Sequence, residues 1–150
     1  MQRKATTKTP IGYARYAREF FDCAIAADET IGSRPGYEII APIPVMYLVG
    51  HSIELSLKAY LLHVGVPNRK VREFGHNLLE CLVEAENHGL ILTNQIDASE
   101  RSAISALNKL YSSKQLNYII TGSKQFPVFG PIQSACKKLL DSICPLVGYK

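Results

Sequence analysis

One run between two prolines has almost no polar face, and it limits what the rest of the chain can be. From Pro44 the apolar positions Val45, Leu48, Val49, Ile53, Leu55, Leu57, Tyr60, Leu61 and Leu62 follow one another until Gly65 and Pro67 end the run. At 100° per residue, Leu57 and Leu61 fall on one side of Glu54 and Lys58, and Leu55 and Leu62 on the other. Ser52, Ser56 and Ala59 make a small-residue face. A helix that is apolar nearly all round has to be covered, so residues 44–64 predict a helix through the middle of a bundle. The longest apolar stretch, residues 39–50, is broken by Pro42 and Pro44 and is too short to span a bilayer.

The flanking segments supply helices to cover it. Thr9 before Pro10 is a hydroxyl N-cap with proline at the first helical position. Ala14, Ala17, Phe20, Phe21, Ala24 and Ile31 then recur at helical spacing as far as Gly32. The proline-rich stretch 37–44 reads as an extended connector over one end of the core, and residues 68–75 as a basic, polar loop. Leu78, Leu79, Leu82, Val83 and Ala85 predict a third helix that ends at His88 and Gly89. Asp97 with Glu100 is a capping-box start for a fourth, with Ile104, Leu107 and Tyr111 buried and Arg101, Asn108 and Lys109 facing solvent. Residues 116–129 hold Gly122 and Pro127 and are too apolar for a loose linker, so they are expected to pack on the bundle. A fifth helix carries Ile132, Ala135, Cys136, Leu139, Leu140, Ile143 and Val147 on one face. The expectation is an all-α, single-domain bundle of about five helices over residues 9–150, behind a flexible basic tail at 1–8.

A length of 150 residues, 47% of them apolar, allows one ordinary core without disulfides or metal. Lys and Arg number 17 against 13 Asp and Glu, and the net charge of +4 permits a polyanion partner without demanding one. Part of that excess is Arg3, Lys4 and Lys8 in the tail. Cys23, Cys81, Cys136 and Cys144 form no C-x-x-C pair and read as reduced core residues. No signal-peptide pattern follows the basic start, which places the protein in the cytoplasm, with no membrane contact.

Few residues promise chemistry. Glu54 and Lys58 stand side by side at i,i+4 among leucines, and His51 shares their face, so the stripe reads as a structural ion pair or as the polar floor of a ligand site. The basic segment Arg69, Lys70, Arg72 leads into His76 and Asn77, either of which suits the cap of the next helix. An anion or RNA contact there would gain charge and a stacking ring from Lys114, Tyr118 and Lys124. His51, His63, His76 and His88 lack metal-ligand spacing, and no phosphate-binding glycine loop is present, so neither metal nor cofactor is expected.

The stretch G-H-S-I-E-L-S-L-K-A-Y-L-L-H-V-G-V, residues 50–66, resembles the central helix of the HEPN family of helical bundles. F-G-H-N-L-L-E, residues 74–80, is similar to the histidine-led start of that family's next helix. L-Y-S-S-K-Q-L-N-Y, residues 110–118, with Phe126 and Pro127, looks like its tyrosine-rich later segment. The order of the segments as a whole resembles that family over about two thirds of the chain. The resemblance implies a bundle that is often a homodimer and works beside a nucleotidyltransferase-type protein partner or on RNA, in a toxin–antitoxin or defence-related setting. HEPN ribonucleases carry an arginine, then four to six intervening residues and a histidine, near the late helices. Here no histidine follows His88; Arg69 and His76 have the spacing but precede the third helix. The expectation is therefore a non-catalytic, self-associating module that binds a partner protein, nucleotide or RNA. The alternatives are a ribonuclease with a non-standard site around Arg69, Arg72, His76 and residues 114–118, and a purely structural oligomerisation bundle.

Overall fold

The computed structural model describes residues 8–117 and 126–150. Among them are six α-helices and no strand: α1 Pro10–Thr30, α2 Ile43–His63, α3 Asn68–Glu73, α4 Leu78–Asn87, α5 Ala98–Tyr111 and α6 Phe129–Leu146. The count is one more than the apolar periodicity predicts. Residues 68–75 are not a loop throughout: their first six form α3, whose single buried residue is Val71. One buried position sets no period, so the sequence pattern could not reveal it.

α1 begins as its sequence requires, with the Thr9 hydroxyl accepting the Gly12 N–H at 3.1 Å. Its buried face is Ala14, Ala17, Phe21 and Ala24, and the alanines let α2 approach closely. Across that contact the Ser52 hydroxyl donates to the Ala17 carbonyl at 2.6 Å and accepts from the Cys136 thiol at 3.3 Å, which ties α1, α2 and α6 at one buried point. Every residue of α2 from Ser52 to Leu61 is buried, and the helix touches each of the other five. It stops at Gly65, whose φ of +96° suits glycine. The Val66 N–H then reaches back to the Leu61 carbonyl at 3.0 Å and satisfies the open helix end.

α4 and α5 are joined through their caps. The Asn77 side chain accepts the Glu80 N–H at 3.1 Å as N-cap of α4. Asn108 does not face solvent as its place on the polar side of the helical pattern suggests. It is buried, its Oδ1 accepts the Leu78 N–H at 2.7 Å, and its Nδ2 donates to Asn77 Oδ1 at 3.2 Å. The open N-terminus of α4 lacks acceptors for its N–H groups, and the Asn108 amide oxygen supplies one. The Asp97–Glu100 capping box is formed, and Glu100 is buried with Lys138 of α6 donating to it at 2.6 Å. Burial raises the Glu100 carboxyl pKa, but the Asp97 N–H, Lys138 and Ser134 more than offset it and hold the group at about 2.

Cys81, Cys136 and Cys144 are buried free thiols, whereas Cys23 is exposed, because it sits off the alanine stripe of α1. Burial pushes the Cys81 and Cys136 thiols up to about 12, which keeps them protonated and unreactive. The connector before α2 covers less than its sequence suggests: of residues 31–42 only Ala41 and Pro42 are buried, and the Ile39 carbonyl accepts the Phe129 N–H at 3.3 Å. Around the residues that are not described, Leu116, Pro127 and Phe129 are buried and Phe126 is half-buried against the core. No helix among the described residues is long and apolar enough to cross a membrane.

Candidate functional site

Four helical turns and one loop place polar atoms around a single buried carboxylate. Glu54 and Lys58, one turn apart on α2, are only 4% and 7% exposed. The Lys58 ammonium donates to Glu54 Oε2 at 2.9 Å and to the Gly75 carbonyl at 2.7 Å. The other oxygen, Oε1, accepts the Tyr111 hydroxyl at 2.7 Å and His76 Nδ1–H at 2.8 Å. His51, one turn before Glu54, brings its Nδ1 to 2.9 Å from the Tyr111 oxygen and 4.0 Å from Glu54 Oε1.

Burial on its own would push the Glu54 carboxyl up. The hydrogen bonds from His76, Tyr111 and Lys58, with the Lys58 charge, more than offset this and hold it below its ordinary value. Glu54 is therefore an anion that only accepts, and its neighbours' protons follow from that. Tyr111 spends its one proton on Glu54, and burial together with the Glu54 charge raises its phenol pKa, so it keeps that proton. Its oxygen must then accept from His51, which fixes His51 with a proton on Nδ1. Burial lowers the His51 pKa; Glu54 opposes that shift, and His76 and Lys58 add to it, so the ring is neutral near pH 7 and its Nε2 is a lone pair. His76 is likewise held through Nδ1. Neither Nε2 makes a hydrogen bond among the described residues, and the side chains are 24% and 48% exposed.

Aromatic rings fix these positions. Phe20 meets the His51 ring edge-on at 4.5 Å and Tyr47 stacks parallel to it at 6.1 Å, while His76 stands edge-on to Tyr111 at 5.8 Å. Tyr111 reaches the carboxylate by lying against Gly50, where an added Cβ would come within 2.8 Å of the ring. The glycine of G-H-S is thus a packing requirement of the tyrosine.

Of the residues marked out by sequence, the fold brings His51, Glu54, Lys58 and His76 together. Arg69 and Arg72 lie exposed on α3 and do not join this network among the described residues; Lys70, between them, pairs with Glu84 at 3.7 Å. Asn77 is committed as the α4 cap. Lys114 is exposed in the turn after α5, with φ of 62° and its N–H on the Tyr111 carbonyl at 3.1 Å, and its side chain makes no hydrogen bond or ion pair to the network among the described residues. Tyr118 and Lys124 lie outside the described residues. Tyr111 entered the sequence reading only as a core residue and a point of family resemblance. The signal for its role was there, since a phenol in a buried helical stripe needs a partner for its hydroxyl.

Two shallow surface depressions, one along Phe74, Leu79 and Val83 and one along Ile91, Pro145 and Leu146, share no residue with the network. Among the described residues no group of three His, Cys, Asp or Glu is placed to hold a metal ion. No protein-family model matches the chain, and no curated protein or solved structure matches it either.

Proposed function

We propose that the chain is a non-catalytic, HEPN-like binding module of the cytoplasm, built around α2 as its central apolar helix, which self-associates and engages a partner protein, nucleotide or RNA. The observation that carries this reading is the saturation of Glu54. Three side chains donate to its two oxygens, and leucines flank it, so the charged stripe orients surface groups and does no chemistry at the carboxylate. Self-association is supported by apolar residues exposed around the start of α2 and α6. Ile39 is 66% exposed, Ile43 43% and Val128 52%, and the Ile39–Phe129 hydrogen bond draws the two segments together.

The ribonuclease reading keeps one observation in its favour. His76 is oriented through Nδ1 by a buried carboxylate with Nε2 outward, which is how an acid–base imidazole is held. Incubation of the protein with labelled single-stranded RNA at several salt concentrations, with the RNA then run on a denaturing gel, separates the two. The module predicts intact RNA and an affinity that falls with salt. Light scattering in parallel is expected to give a mass above the monomer, and a monomer at high concentration would remove self-association from the reading. RNA shortened by wild type but left whole by His76→Ala would overturn the non-catalytic part.

A further inference from the structure

Residues 67–76 hang between two fixed points. Before them the Val66 N–H is bonded to the Leu61 carbonyl of α2 at 3.0 Å; after them Asn77 is tied to Glu80 as the α4 cap and to Asn108 of α5. Little holds the segment in between. The backbone of α3 comes close to that of α2 alone among the helices, and α3 buries only Val71, with Phe74 half-buried after it. The polar ties are the Gly75 carbonyl on Lys58, His76 on Glu54, and the pair of exposed Lys70 with Glu84 at 3.7 Å, which is worth little in water. Few buried apolar contacts and a handful of polar ties are the marks of a segment that opens locally. Unfastening it strands neither buried charge. Glu54 keeps the Lys58 ammonium at 2.9 Å and the Tyr111 hydroxyl at 2.7 Å, and water can replace the two bonds that are lost. At Gly75, with φ of +55°, nothing lies within 4 Å of where a side chain would stand, so the chain can swivel there.

We infer that residues 67–76 are a lid that opens as one unit between Val66 and Asn77 while the rest of the bundle stays folded. Opening lets water and small solutes reach Lys58 and Glu54, which the closed lid keeps buried. The inference goes beyond the binding-module reading and does not depend on it.

Native-state amide hydrogen exchange at low urea, on wild type, Val71→Ala and Ile132→Val, tests the lid. The amides of Val71, Phe74 and Gly75 are bonded within the segment, to the carbonyls of Pro67, Val71 and Arg72. They are expected to share one opening constant and one small urea dependence, and to exchange about 100-fold faster than the buried amides of α2. Ile132 is buried in α6, away from the lid's ties, so Ile132→Val should speed the α2 amides about fivefold and leave the lid amides unchanged. Val71→Ala removes the lid's buried contact and should speed the lid amides about tenfold. Acylation by a small water-soluble reagent, followed by mass spectrometry with exposed Lys109 as the internal reference, reads the buried pair directly. Lys58 should react about tenfold faster in Val71→Ala and no faster in Ile132→Val. Three results would each overturn the lid. Lid amides that speed up with α2 in Ile132→Val open only when the whole fold does. Lid amides with separate opening constants and no urea dependence are fraying one at a time. Lys58 left unlabelled while Lys109 reacts is not uncovered by the opening.

Discussion

Glu54 sits where an unpaired charge would be costly, and the arrangement around it accounts for the side chains of four other residues. Removing one member of a buried pair leaves the other stranded, at a cost of about 3–5 kcal/mol. Lys58→Met is expected to destabilise by about that amount, because Oε2 loses its donor and the Gly75 carbonyl loses its partner. The double variant Glu54→Gln, Lys58→Met should cost less than the two single changes together, with a coupling of about 0.5–3 kcal/mol read from a urea-unfolding cycle. Strict additivity would mean the pair does not act as a unit. Gly50→Ala tests the packing of Tyr111 in the same way. Alanine gains about 1 kcal/mol of helix propensity, yet a Cβ at 2.8 Å from the ring should make the net effect a loss of about 1–2 kcal/mol in thermal unfolding.

At the scale of elements, legibility followed period and length. α2, α5 and α6 each repeat apolar positions over 14 or more residues, and their patterns carried them. α3 has six residues and no side-chain cap, and it forms where Val71 and the Gly75–Lys58 bond hold the chain against α2, which is tertiary information. Asn108 misled for a related reason. Its place on the polar side of α5 is real, but the start of α4 packs there and needs its amide. Asn108→Ala strands the Leu78 N–H and should cost about 1–3 kcal/mol, with the amide of Leu78 exchanging with deuterium faster than in wild type. Unchanged protection at Leu78 would show that the cap is not what holds α4 to α5.

For the whole molecule, the sequence made the His51, Glu54 and Lys58 stripe visible through i,i+3 and i,i+4 spacing. It could not show that His76, 22 residues on from Glu54, and Tyr111, 57 residues on, close over that stripe. That closure has a consequence for acid stability. His51 has a folded pKa below the unfolded value of about 6.5, so the unfolded chain takes up its proton first and stability should begin to fall as pH drops below about 6.5. Glu54 and Glu100 also lie below their unfolded value of about 4.3, so a second loss should follow below that pH, extending for Glu100 down to about 2. Urea midpoints across pH should show both steps, and His51→Asn should remove the first and leave the second.

The central claim is that one buried carboxylate sets the protons of the groups around it. Long-range nitrogen–proton correlation spectra of the histidine rings at pH 7 test it most directly. The account predicts that His51 carries its proton on Nδ1, with Nε2 resonating as a bare nitrogen. A His51 proton on Nε2 would contradict it, since Tyr111 would then have to donate to His51 and release Glu54.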